Sequence, residues 1–374
     1  MAYPPTKGKG PVANVLPMET RVRIISALVE GNSIRAVERM TSVPKSTILR
    51  LALAVGDGCE RLHNRLVQGI REEEIELDEQ WSFIAKKEKR VTSEDPADWG
   101  DVFTYSAFGR RSKLILSWHV GKRTQALTDE FVSDLRARIL VVPQMTSDGL
   151  TLYVPAVANA FGPGMVDYAQ VIKQYGYSKS PDHKFEPARN ANFIVKTAVF
   201  GAPDPARMST SGVERYHLTA RHMNGRKRRL CLAFSKTVRG HRAAVALSVC
   251  AYNLTRIHAS LRITPAMEAG IVKVVWSVRD LIEAALAEAP SAAPVRQPLT
   301  LASETGPVRQ LPGGKGWLRL VHGGSASGAA PATDPAPPDA PAVPTRLAPV
   351  PPPPVATTTP RRPMRQLDLF DRDD

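Results

Sequence analysis

Cysteine is scarce in this chain. Three are present in 374 residues, Cys59, Cys231 and Cys250, far apart in sequence and without a CxxC pair. That argues against both a disulfide framework and a thiolate zinc site, and leaves reduced, structural thiols as the expectation. No window reaches the ~18 uninterrupted apolar residues of a membrane-spanning helix, and Met1 to Asn14 lacks the apolar stretch of a signal peptide. A cytoplasmic protein with no membrane partner is therefore expected. The chain also has no P-loop, no GxSxG and no paired-histidine motif of the relaxase type, so the usual signatures of nucleotide hydrolysis and covalent nucleophilic chemistry are missing.

Acidic charge is in deficit. Fifty Lys and Arg stand against 36 Asp and Glu, a net +14. Such a balance favours a polyanionic partner, because neutralising phosphates releases condensed counterions. Proline is unevenly spread: 18 of the 32 lie between Pro290 and Pro363, four of them consecutive at Pro351 to Pro354. A segment of that composition buries too little apolar surface to offset its ordering entropy, so residues 290–364 read as a disordered tether. The folded part is expected to end near Ala289. Within the tether, Gly316 to His322 is a short apolar island without a clear assignment.

Residues 1–17 read as a flexible start and 18–71 as a helical module. Val22, Ile25, Ala27, Leu28 and Val29 form a helical stripe ending at Gly31. Asn32 or Ser33 caps a second helix through Ile34, Val37 and Met40. Ser42-Val43-Pro44 turns the chain, and a third helix opens with Lys45, Ser46, Thr47 and Arg50. This pattern fits a helix-turn-helix in which Lys45, Ser46, Thr47 and Arg50 contact DNA; a three-helix packing module is the alternative.

Residues 72–289 change period. Strands are expected over Ile75–Phe83, Val102–Phe108, Leu114–Val120, Val141–Ser147 and Phe193–Phe200. Helices are expected over Thr124–Ile139 and Leu152–Ala160, with a long basic helical stretch from Gly212 onward. The fold class is α/β: an RNase H-like mixed sheet with flanking helices, preceded by the all-α helix-turn-helix module and followed by the disordered tail. Three acids fall at the places where such a core assembles a metal site: a strand centre, a strand end and a helix start. Asp78 is inside the first strand, sharing a face with Glu76 and Gln80, and an acid there is costly to bury unless paired or bound to a cation. Asp148 follows a strand in Ser147-Asp148-Gly149, which also reads as a plain turn. Glu214 opens the late helix. Oxygen donors without a nearby Cys or His cluster point to Mg²⁺ or Mn²⁺ rather than zinc.

From Glu214 to Arg242 there are nine basic residues and one acid. Arg215, Arg221, Arg226, Lys227, Arg228 and Arg229 read as phosphate contacts beside the metal site; a solvated basic face is the alternative. Trp81, Trp99 and Trp118 read as packing residues rather than base-stacking ones.

These blocks carry a resemblance. Val213 to Lys236, Tyr252-Asn253 and His258 to Ile271, together with Leu77 to Trp81 (LDEQW), Gly121 to Thr124 (GKRT) and Ser147 to Leu150 (SDGL), resemble DDE transposases of the insertion-sequence-1 group over roughly Ile75 to Ile271. The resemblance implies that Asp78, Asp148 and Glu214 bind two divalent metals on an RNase H-like fold. It also implies cutting of element ends and joining of 3′-hydroxyl ends to double-stranded target DNA by a homo-oligomer. Family members often carry an N-terminal cysteine zinc finger, which this chain lacks. A non-catalytic helix-turn-helix regulator with a relic core, or a structure-specific repair nuclease, are the rival readings. Gln366-Leu367-Asp368-Leu369-Phe370, within residues 365–374, resembles the peptide by which bacterial replication and repair proteins dock on the β sliding clamp. That resemblance makes Gln366, Leu367, Leu369 and Phe370 the expected contacts.

Overall fold

The computed structural model describes residues 16–175, 191–228 and 232–288. Contacts divide the chain into Met1–Ser303 and Glu304–Asp374, and every described residue belongs to the first unit. The tether and the terminal peptide lie outside the described residues.

Three helices open the fold: α1 (Met18–Val29), α2 (Ile34–Thr41) and α3 (Lys45–Leu66). The Ser33 side chain accepts from Ala36 N at 3.1 Å and caps α2, as its sequence position suggested. Ser42, in left-handed conformation at φ 54°, turns the chain toward α3. Ile24, Val37, Val43 and Ile48 close a small apolar cluster among these helices. The later part of α3 has a different role. Val55, Cys59 and Leu62 belong to the main core, and Gly56 and Gly58 bring α3 against later helices so closely that a Cβ at Gly58 would stand 2.0 Å from the Ala285 carbonyl oxygen.

Among the described residues the sheet has six strands, in the order β3-β2-β1-β4-β5-β6. These are β1 (Glu74–Ile84), β2 (Gly100–Gly109), β3 (Ile115–Gly121), β4 (Gln144–Ser147), β5 (Asp167–Tyr175) and β6 (Ala191–Phe200). β1 pairs antiparallel with β2 and parallel with β4, and β4 pairs parallel with β5. An antiparallel three-strand meander continued by two parallel strands is the RNase H-like arrangement, and β6 adds to its edge antiparallel to β5. α4 (Gln125–Arg138), capped by Thr124, and α5 (Tyr153–Phe161) cover one face. α6 (Ser211–Met223) covers the other. The chain then packs α7 (Val238–Cys250), α8 (Pro265–Glu268) and α9 (Val278–Ala287) against α3 and the core, with a capping box of Ser277 and Asp280 starting α9.

Two sequence expectations need correction. β5 was not anticipated, because Asp167, Gln170, Lys173 and Gln174 interrupt its apolar residues. The basic stretch after Gly212 is not one helix: α6 stops at Met223, and Gly225–Lys227 is a short 3-10 turn before α7. Among the described residues, no helix is long and apolar enough to cross a membrane.

Candidate metal centre

The last rung between β1 and β4 pairs Leu77 with Ser147. One residue further, β4 has ended and its chain turns away at Asp148-Gly149, while β1 continues through Asp78. Parallel register therefore sets Asp78 and Asp148 side by side where the sheet splits. Asp148 is held by its own turn, its Oδ1 accepting from Leu150 N at 3.0 Å.

Strand alternation builds the two sides of the site differently. On the α6 side, Glu76 accepts from Val213 N at 2.8 Å, Gln80 donates to the His217 carbonyl at 3.0 Å, and His217 Nδ1 lies 3.1 Å from Asp78 Oδ2. Three successive same-face residues of β1 thus fix α6, and with it Glu214 in the first turn of that helix. The Glu79 N–H donates to Asp78 Oδ1 at 2.9 Å. On the opposite side Glu79 pairs with Arg123 and accepts from the Tyr153 hydroxyl at 3.2 Å.

One carboxylate oxygen each from Asp78, Glu79 and Asp148 lie within 4.8 Å of one another. The electrostatics register this crowding. Burial, with the charges of Asp148 and Asp78, pushes the Glu79 carboxyl up to about 8, against the downward pull of Arg123 and Tyr153. Burial and the Asp78 charge also raise Asp148, with a smaller contribution from Glu214. Hard oxygen donors that repel one another, with Arg123 as their cationic partner, fit a divalent ion such as Mg²⁺ or Mn²⁺.

Glu214 stands beside this trio rather than in it. It pairs with Lys173 of β5 and accepts from Thr210 Oγ1 at 2.7 Å. Sequence reasoning brought Asp78 and Asp148 together but left Glu79 out of the site, because neighbours on a strand point to opposite faces. The adjacent acids in LDEQW were the available signal. Lys173 gave none, since its strand was not recognised.

No family model matches the chain. No curated protein matches it either. Among solved structures, the chain aligns with a cryo-EM structure of a piggyBac transposase synaptic complex with hairpin DNA, at 10% identity and a TM-score of 0.40, over 72% of this chain and 69% of that one.

The residues expected to touch DNA fare unequally. Lys45, Ser46 and Arg50 are exposed at the start of α3, and Thr47 is half-buried, with Arg50 3.4 Å from its hydroxyl. Arg215 is exposed on α6, and Arg221 is half-buried two turns from Glu214. Arg226 is half-buried and donates to Ser235 Oγ at 3.3 Å. Lys227 is the clear correction: it is 1% exposed, its Nζ meets no hydrogen-bond partner among the described residues, and burial lowers it to about 7. A side chain so placed does not reach a phosphate. Arg228 donates to the Arg221 and His222 carbonyls at 3.2 and 3.1 Å, which closes the end of α6. Arg229 lies outside the described residues, as do Gln366, Leu367, Leu369 and Phe370.

Proposed function

We propose that the chain is a DNA transposase of the insertion-sequence-1 group, cleaving element ends and joining 3′-hydroxyl ends to target DNA. The observation that carries this reading is the convergence of Asp78, Glu79 and Asp148 where β1 and β4 part, with Glu214 on the helix that β1 itself anchors. On an RNase H-like sheet, that is the place where a metal-dependent phosphoryl-transfer site belongs.

Asp78 and Asp148 are the residues that hold divalent cations, Mg²⁺ or Mn²⁺ and two in number, with Glu214 as the third family acid and Glu79 as a further oxygen donor. Two such ions, when bound, activate the attacking water or 3′-hydroxyl and stabilise the leaving oxygen. The protein's own work is positional. His217 and the Glu79 N–H fix both oxygens of Asp78, the Leu150 N–H fixes Asp148, and Lys173 holds Glu214 at the rim until the site is loaded. Arg215 and Arg221, on the same helix as Glu214, bind the phosphates that flank the cut. The first three helices serve as a helix-turn-helix that reads the element ends through Lys45, Ser46, Thr47 and Arg50. The protein works in the nucleoid as a homo-oligomer on double-stranded DNA, and residues 365–374 recruit it to the β sliding clamp.

The test is cleavage and strand transfer by the full-length protein on duplexes carrying the DNA that flanks its gene, with Mg²⁺ or Mn²⁺ and in EDTA. Metal-dependent cutting, lost in Asp78→Asn and Asp148→Asn with DNA binding retained, is the expected result. Metal-independent cutting, or full activity in either variant, refutes the proposal. Cleavage without joining selects a repair nuclease instead.

A further inference from the structure

Past the acid cluster, the face of β1 that carries Glu79 becomes aromatic. Trp81 and Phe83 follow Glu79 at two-residue intervals, which places them about 7 and 13 Å further along the same face. Their ring centroids are 5.7 Å apart. Trp81 is paired in register with Phe103 of β2, and Phe83 stacks on Phe234 at 4.9 Å with a 27° interplanar angle. Both ends of this row of four rings are cationic: the Arg123 guanidinium lies 4.2 Å over Phe103, and Lys236 Nζ lies 4.2 Å over Phe234.

Burial distinguishes these rings from those of the core, although Phe103 still packs against its edge. Tyr105, Phe131, Tyr153 and Tyr168 are all 0% exposed, whereas Phe103, Trp81, Phe83 and Phe234 are half-buried. The row is nevertheless held firmly. Ser235, between Phe234 and Lys236, is buried; its carbonyl accepts from Ala85 N at 2.8 Å, and its hydroxyl is 2.8 Å from His241 Nδ1. With Ser235 pinned inward, alternation turns Phe234 and Lys236 outward.

Packing explains buried rings and solvation explains exposed charges, but neither explains four partly open rings with Lys236 at one end and, at the other, Arg123, which pairs with Glu79 and keeps part of its guanidinium side chain open to solvent. Unpaired nucleobases supply the complement, with π faces for the rings and phosphates for Arg123 and Lys236. A duplex does not, because its base faces are already stacked on one another.

We propose that Phe103, Trp81, Phe83 and Phe234, with Arg123 and Lys236 at the ends, form a stacking platform for unpaired bases of a DNA strand running out of the acid cluster. The choice of DNA rests on the proposed transposase reading; the platform adds that the strand is locally unpaired beside the cut. Trp81 thereby changes from the packing role its sequence suggested to a base-contacting one.

The test uses full-length protein in EDTA, where cleavage cannot occur. Anisotropy is measured with a labelled oligo-dT and with a blunt duplex of equal length, for the wild type, Phe234→Leu and Trp81→Leu. Leucine keeps apolar bulk and removes the π face. Single-strand affinity falls about five- to a hundredfold in each variant, while duplex affinity stays within about twofold. Should a variant fail to fold, 2-aminopurine in the oligonucleotide, quenched by the wild type and released by unlabelled oligo-dT but not by duplex, supports the platform; absence of quenching overturns it. Unchanged single-strand affinity in folded variants also overturns it, and loss of self-association in those variants would assign the patch to a second copy of the chain. The two readings fail separately. Ring-dependent oligo-dT binding by a protein that never cuts DNA leaves the platform standing and removes the transposase. Cutting without ring-dependent binding does the reverse.

Discussion

Replacing Glu79 with Gln should make the metal-free protein more stable at alkaline pH while removing most of its response to Mg²⁺. In the folded chain the Glu79 carboxyl is held up to about 8, against 4.5 for an unperturbed glutamate, first by burial and then by Asp148 and Asp78. Between those two values the unfolded chain has released a proton that the folded chain still holds. Folding stability contributed by this group is therefore complete below about pH 4.5 and is lost as pH rises through about 8. At about 1.4 kcal/mol per pH unit, the loss is at most about 5 kcal/mol. For a folded region of this size each kcal/mol moves Tm by ~2–4 °C, so even half of that bound is a fall of roughly 5–10 °C. Burial also raises Asp148 and Glu76, which tilts the profile the same way. A divalent cation opposes the loss by taking the place of the proton, so Mg²⁺ should stabilise the wild type strongly at about pH 8 and little at about pH 5. Gln cannot ionise. Its metal-free Tm should exceed the wild type's at about pH 8, match it near pH 5, and rise less with Mg²⁺. Scanning calorimetry of both proteins across this range, in EDTA and with excess Mg²⁺, measures the difference directly. A wild-type profile parallel to the variant's, with equal Mg²⁺ shifts at both ends, would refute the argument that three carboxyls share one cation site.

Gly58→Ala should destabilise the fold by roughly 2–4 kcal/mol, because its Cβ would meet α9 backbone at the Ala285 carbonyl rather than a yielding side chain; a thermal midpoint within a degree of wild type would contradict the close approach of α3 and α9. His217→Ala should raise the Mg²⁺ concentration needed for half-maximal cleavage about 10- to 100-fold by freeing Asp78 Oδ2, with partial rescue by Asn, and a metal titration that does not move would reduce His217 to packing. Lys227→Met should stabilise the protein at neutral pH by about 1–4 kcal/mol, since it removes a buried amine that has no hydrogen-bond partner among the described residues. Because the folded Lys227 value of about 7 lies below the ordinary 10.5, the wild type gains stability as pH rises from about 7 toward 10.5; the variant should lack this gain, as urea unfolding at several pH values would show.

The sequence displayed the scaffold better than the contacts made on it. β1 to β4 and the first acids were legible because an alternating strand with an acid at its centre, and a strand that ends in Asp-Gly, are local patterns. Glu79 was not, since alternation assigns it to the far face and only the splitting of β1 from β4 lets one oxygen from each side approach the other. The basic run was legible as charge but not as geometry. Lys227 turned inward and Arg228 bent back onto the carbonyls of α6, and both outcomes depend on where the helix stops. Trp81 was read as a packing residue because a ring on a strand is usually covered, and whether it is covered depends on elements distant in sequence.

α3 carries one last consequence. Its first turn holds Lys45, Ser46 and Arg50, and its later turns are cemented into the core through Val55, Cys59 and Leu62, with no joint between. On the proposed function it is a ruler. From Lys45 to Leu62 the rod measures about 26 Å, and one inserted residue would swing its tip by about 100° around the axis. If its first turn grips DNA as proposed, the length of one helix contributes to the distance between the bound base pairs and the acid cluster, and an inserted turn would uncouple binding from cutting without abolishing either.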